Sequence, residues 1–181
     1  MKFDAETKRI VREGVPSEVN NWDIVAVQRA VELRGEFGGS VTAITMGPPQ
    51  AREALVQCLA MGADRAVHLC DKAMAGSDTL ATARTLVKAL QREKFDLILC
   101  GRNSTDAETG QVGPEVAELL HIPHVSNVRR LEIRSEGTLM AERVTDEGYQ
   151  VIRCPLPAVA CVTEGVAAEA YPGRDELAQA E

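Results

Sequence analysis

Residues 95–120 read FDLILCGRNSTDAETGQVGPEVAELL. The stretch opens on a short apolar run without strict alternation, FDLILC, which marks a strand covered on both faces. It continues as a long polar loop with glycines at Gly101, Gly110 and Gly113, and it ends in a helical pattern entered through Pro114. Proline suits a first helical turn, where its missing N–H costs nothing. A buried strand, a loop and a helix in this order form one step of an alternating α/β chain.

Working outward, VTAITMG (41–47) and RAVHLCD (65–71) repeat the strand signature. Between them, Ala51, Ala54, Leu55, Cys58 and Leu59 share one helical face, and Gly62 is a C-terminal stop. Before FDLILC, Leu80, Ala83, Leu86, Val87 and Leu90 form a second stripe, capped by Ser77 or Asp78. An earlier helix runs from about Asp23 to Arg34. The alternation predicts an α/β fold, a doubly wound and mostly parallel sheet with right-handed crossovers. After Leu120 the pattern becomes alternating, with turn signals at Glu136-Gly137 and Glu147-Gly148, so an antiparallel meander returns the chain to the sheet. We expect one domain over residues 1–172 and a loose polar tail over 173–181; the beginning reads as a small hairpin or an extended arm.

With 181 residues the chain is long enough to bury a core without covalent staples. Its net charge of −7 and scattered basic residues argue against nucleic acid or an anionic membrane surface as partner. No apolar run approaches the roughly 20 residues of a membrane span, and MKFDAETKRI lacks the apolar centre of a signal peptide. The cytoplasm is the expected location. Cys58, Cys70, Cys100, Cys154 and Cys161 show neither C-x-x-C nor metal-ligand spacing with the histidines, so they read as reduced thiols, mostly buried. His68, His121 and His124 have no acid or nucleophile nearby in sequence and read as structural or exposed.

In open α/β sheets, ligands collect beyond the carboxyl ends of parallel strands, where the 101–112 loop begins. Free N–H groups at the helix entrance, with the positive end of the helix dipole, favour an anion such as a pyrophosphate. Gly110 and Gly113 let a backbone approach such a group, while Thr105, Thr109 and Gln111 offer hydroxyls and an amide. An ordinary surface connection uses the same residue types and stays open as a reading. The loop matches neither a Walker A motif nor G-x-G-x-x-G, which disfavours phosphoryl transfer. AGSDTLATA (75–83) is a second strand-to-helix junction, better read as a plain N-cap. In VNNWDIVAV, Asn20 and Asn21 are candidates for a base or ribose, and Trp22 is foremost a helix anchor. No carboxylate pair, Ser/His/Asp set or Cys/His set is readable, so a carrier is expected rather than an enzyme.

Several segments taken together resemble the beta subunit of electron transfer flavoprotein, the family that includes the FixA proteins: MGPPQAREAL, AMGADRA, AGSDTLATA, LPAVACV and the D-x-x-T-x-Q-V-G-P-E loop. The resemblance covers about residues 12–172. It implies an adenine nucleotide alpha hydrolase-like fold and a non-catalytic subunit that pairs with an alpha subunit and passes electrons from or to dehydrogenases. It also implies a bound nucleotide, FAD in the bifurcating branch or AMP in the respiratory branch. T-G-Q-V-G-P stands where AMP-binding members have N-Q-T-G, which favours FAD. The nucleotide so implied lies between Asn20, Asn21, Trp22 and Asp23, the strand end at Met46, and the loop of Gly101, Arg102, Asn103, Ser104, Thr105, Asp106, Thr109, Gly110, Gln111 and Val112; Asp106, Thr109, Gln111 and the 110–112 backbone hold its pyrophosphate and ribose, and Asn20 and Asn21 meet its adenosine side. Two departures accompany the resemblance. The family's first, central strand is expected to be missing before KFDAETKRIVREGVP, and the long dehydrogenase-docking arm is replaced by GRDELAQAE. A standalone adenine-nucleotide module of the universal-stress kind is the alternative, though its G-x-x-G-x-x-S loop is absent; a cofactor-free truncated paralogue is another.

Overall fold

The computed structural model describes residues 2–4 and 9–11 as backbone, and residues 17–105, 107–134 and 137–180 in full. Strands β1 (Lys2–Asp4) and β2 (Arg9–Val11) pair antiparallel, which favours the hairpin over the extended arm as the reading of the opening. The other positions of the opening, 5–8 and 12–16, lie outside the described residues, as does Glu136 of the first predicted turn.

Helix α1 (Asn21–Phe37) leads to strand β3 (Thr42–Met46), helix α2 (Arg52–Ala60) and strand β4 (Arg65–Leu69). Helix α3 (Thr79–Leu90), strand β5 (Leu97–Gly101) and helix α4 (Val112–Leu120) complete the predicted alternation. The meander follows as β6 (His124–Arg134), β7 (Thr138–Thr145) and β8 (Gly148–Pro155), after which β9 (Ala158–Val162) returns to the core. Gly62 ends the α2 turn with φ +107°, as its position required. The polar end, expected to be loose, contains a short helix, α5 (Arg174–Ala180), lying against α2.

The fold is α/β with parallel core strands and an antiparallel meander. Its strands divide into two sheets beside the β1–β2 pair: β3 lies parallel to β4, and the larger sheet has the order β5-β9-β6-β7-β8. Strand β9 is parallel to both β5 and β6, while β6, β7 and β8 run antiparallel. Among the described residues, β3 and β5 each pair with a single strand.

Two helices tie the sheets together. Helix α3 packs on β3, and its Leu86 and Leu90 share an apolar cluster with Ile98 of β5. Helix α1 covers β5 with its first half. At its other end, Arg34 Nη1 donates to the Gly62 carbonyl at 2.8 Å and to Asp64 Oδ1 at 2.7 Å, beside the start of β4. Asp64 Oδ2 also accepts the Val41 amide at 2.7 Å.

The absence of alternation in β5 and β9 has a direct cause. Leu97 and Leu99 join Ala158, Ala160 and Val162 on the α1 side, around Val25 and Ala26. Ile98 and Cys100 join Val159 and Cys161 on the α4 side, around Ala117. Successive strand residues point to opposite faces, and both faces here are covered. Burying a side chain such as Val159 or Ile24 stabilises the fold by about 1.5–3 kcal/mol.

Candidate functional site

The mouth of β5 meets the first turn of α1. Asn20 holds extended backbone angles, φ −68° and ψ 147°, and its Oδ1 accepts from the Trp22 amide at 3.3 Å, which is N-cap chemistry. Its Nδ2 donates to Asp23 Oδ2 and, at 3.3 Å, to the Asn103 carbonyl. Asp23 Oδ1 accepts the Gly101 amide at 2.6 Å. A Cβ on Gly101 would stand 2.8 Å from Trp22 Cβ and 3.0 Å from the Trp22 carbonyl carbon, so this approach requires glycine. Burial raises the Asp23 carboxyl above its ordinary range, against the opposing pull of the Gly101 amide and Asn20. Above this seam the Arg102 guanidinium lies 5.3 Å from the Trp22 ring centroid, and its Nε donates to Asn103 Oδ1 at 3.2 Å. Trp22 thus anchors the helix against Gly101 and carries a cation on its ring.

The loop beyond turns on itself. The Glu108 amide donates to the Ser104 carbonyl at 3.0 Å, and Glu108 and Gly110 both have positive φ, at 51° and 62°. Ser104, Thr105 and Thr109 are exposed; Asp106 lies outside the described residues. At the entrance to α4, Gln111 makes no side-chain cap, which leaves the Val112 and Gly113 amides without a capping acceptor.

The Gln111 side chain instead turns to α3. Thr79 Oγ1 lies 3.2 Å from Gln111 Oε1 and 3.0 Å from Glu115 Oε1. Asp78 caps α3 by accepting the Ala81 amide at 2.7 Å, so the plain N-cap reading of AGSDTLATA holds. Thr79 and Glu115 nonetheless belong to the junction, and sequence reasoning missed both as partners of the loop. The only sequence hint was a hydroxyl beside a cap. Glu115 Oε2 is buried and has no hydrogen-bond partner among the described residues.

Gly113 has a different reason for being glycine from the one expected. A Cβ there would lie 2.5 Å from Cys161 Sγ and 2.9 Å from Cys100 Sγ. Close packing on two sulfurs demands the bare backbone, whatever the loop binds. Gly110 is glycine for its left-handed backbone, φ +62°, and a Cβ there would stand 3.3 Å from the Arg102 carbonyl oxygen.

The structure therefore brings Asn20, Trp22 and Asp23 against Gly101, Arg102 and Asn103, and it places Gln111 and Val112 at the helix entrance beside Thr79. Asn21 opens α1, exposed, and no side-chain hydrogen bond joins it to the loop among the described residues. Met46 ends β3 opposite Leu69, in the other parallel sheet. Two open concavities lie elsewhere: about 400 Å³ between Leu59, Ala60, Glu176, Gln179 and Ala180, and about 320 Å³ around Arg129, Glu142 and Gly165. Neither touches the junction. Among the described residues, no helix is long and apolar enough to cross a membrane and no cluster has the makings of a metal site.

Known proteins are similar to this chain in sequence. Residues 7–181 match the family model described as the electron transfer flavoprotein domain. The chain is 44% identical, over 95% of its own length and 66% of the relative's, to an electron transfer flavoprotein subunit beta of Thermoanaerobacterium thermosaccharolyticum. It is 42% identical to the caffeyl-CoA reductase-Etf complex subunit CarD of Acetobacterium woodii, covering 91% of this chain and 63% of that one. To Protein FixA of Bradyrhizobium diazoefficiens it is 41% identical, over 87% of this chain and 57% of that one. The chain spans less than two thirds of the length of each of these three relatives.

Proposed function

The chain belongs to the electron transfer flavoprotein family, and from that premise we propose that it is a beta-type subunit that holds an adenine nucleotide and works with an alpha subunit as an electron carrier. One observation carries the placement of the nucleotide. The α1 cap and the mouth of β5 are locked together through Asn20, Asp23, Gly101 and Asn103, next to a helix entrance with uncapped amides.

The residues fit such a group. The amides of Val112 and Gly113 and the positive end of α4 would hold the phosphates. Arg102, held over Trp22, would supply the positive charge at the rim. We propose FAD rather than AMP, on the T-G-Q-V-G-P run at 109–114. When bound, a flavin supplies the redox chemistry, and the protein contributes placement and electrostatics. The chain's own task is to position that group and to seat the alpha subunit, with dehydrogenases as the proposed exchange partners.

Co-expression with an alpha subunit tests the reading. Acid release from the purified complex, followed by chromatography, identifies the nucleotide. The expected result is FAD in the complex, lowered when Gln111→Ala and Asn20→Ala are combined. AMP in that place would leave the subunit assignment and overturn the flavin. A complex free of nucleotide at this subunit would overturn the binding reading and leave a structural partner.

A further inference from the structure

Beneath the entrance to α4, Cys100 and Cys161 stand directly opposite each other on the parallel strands β5 and β9, with their sulfurs 3.6 Å apart. They are 61 positions apart in sequence, and only the strand pairing brings them together. Neighbouring strands lie about 4.7–4.9 Å apart, within the Cα separation of about 4.4–6.8 Å that a disulfide spans. To bond, the sulfurs must close from 3.6 Å to about 2.05 Å. The two sulfurs also form the floor on which Gly113 rests.

We propose that Cys100 and Cys161 are an oxidation site, an internal dithiol–disulfide couple that takes a small peroxide as its oxidant and loosens the first turn of α4 when it closes. The chemistry is asymmetric. The Cys100 thiol donates to Cys161 Sγ, and Ser126 bonds to it as well; both favour the Cys161 thiolate, against its burial. The same contact and burial hold the Cys100 thiol protonated. Cys161 is 2% exposed, which restricts the oxidant to something of hydrogen peroxide's size.

The Cys161 thiolate attacks one peroxide oxygen; the O–O bond breaks and the second oxygen leaves as hydroxide, taking a proton to become water. Cys161 is now a sulfenic acid. Cys100 sulfur then attacks Cys161 sulfur, the S–O bond breaks, and the departing oxygen leaves as water with the Cys100 proton. Two thiols have lost two electrons and peroxide has become two waters. A thiol such as dithiothreitol reverses the change by exchange. Drawing the sulfurs together removes part of the support under Gly113, so the amides of the α4 entrance open more often. That coupling does not depend on what the loop binds.

The test uses the full chain, treated with hydrogen peroxide, freed of excess oxidant and digested with trypsin without reduction. The expected product joins the peptide 95–102 to the peptide 154–174, with the mass of two hydrogens lost, and it disappears after dithiothreitol. A Cys154→Ser variant keeps this bridge, which assigns it to Cys161, and Cys161→Ala abolishes it. Hydrogen exchange of the peptide covering 111–117 should be faster by about tenfold in the oxidised chain. Peroxide that only adds oxygen to these thiols, or that reacts at exposed Cys70 while both stay reduced, overturns the couple. Unchanged exchange at 111–117 despite a formed bridge overturns the link to α4.

Discussion

The Gly101 amide donates to Asp23 Oδ1 across 2.6 Å, joining the end of β5 to the first turn of α1. A carboxyl placed so deep prefers its proton, and burial outweighs the amide that favours its charge. Its folded pKa therefore stands above the unfolded one. Such a group contributes stability that is full below the unfolded value and is lost as pH rises through the folded value. In urea titrations across about pH 4–7, the wild type should lose stability relative to Asp23→Asn as pH rises. A difference that grows in the wild type's favour with pH would contradict this account.

Asp64 shows the opposite sign. Its bonds to Arg34 and the Val41 amide lower its pKa, so its contribution is present above the unfolded value and fades as pH falls through the folded one. Asp64→Asn should destabilise the chain at neutral pH and match the wild type in acid, as read from paired melting curves. Added salt should shrink the neutral-pH gap, because the pair is solvent-exposed.

Gly113→Ala should cost about 1–3 kcal/mol by overpacking, since the new methyl meets Cys161 Sγ and Cys100 Sγ. Adding Cys161→Ala should recover part of that loss, a non-additive result measurable by denaturant midpoints. Full additivity of the two changes would show that the sulfurs are not the obstacle.

Gly101→Ala is a harder case, because its methyl meets the Trp22 backbone as well as its Cβ. Backbone cannot turn aside as a side chain can. We expect a larger loss than at Gly113, and a shift in the fluorescence of the protein's single tryptophan.

That tryptophan also reports on Arg102. Removing the guanidinium from the Trp22 face by Arg102→Met should change the emission and cost about 0.5–1 kcal/mol. Addition of FAD to the wild-type chain co-purified with the proposed alpha subunit should quench Trp22 if the junction is the site; unchanged emission would place the nucleotide elsewhere.

The sequence carried the α/β alternation because burial on both faces writes itself as unbroken apolar runs, and because helices repeat their own period. β3, β4, β5, α2 and α3 were legible for that reason, as was the meander, where one period replaces the other. It also carried the family, through short motifs whose order is preserved. What it could not carry were relationships across strands. That Cys100 faces Cys161, that Gly113 is bare because sulfur lies beneath it, and that Thr79 reaches Gln111 depend on which strands pair and in what register. Register is a property of the packed whole: the energy that selects it comes from faces meeting, and no local run of residues contains both faces.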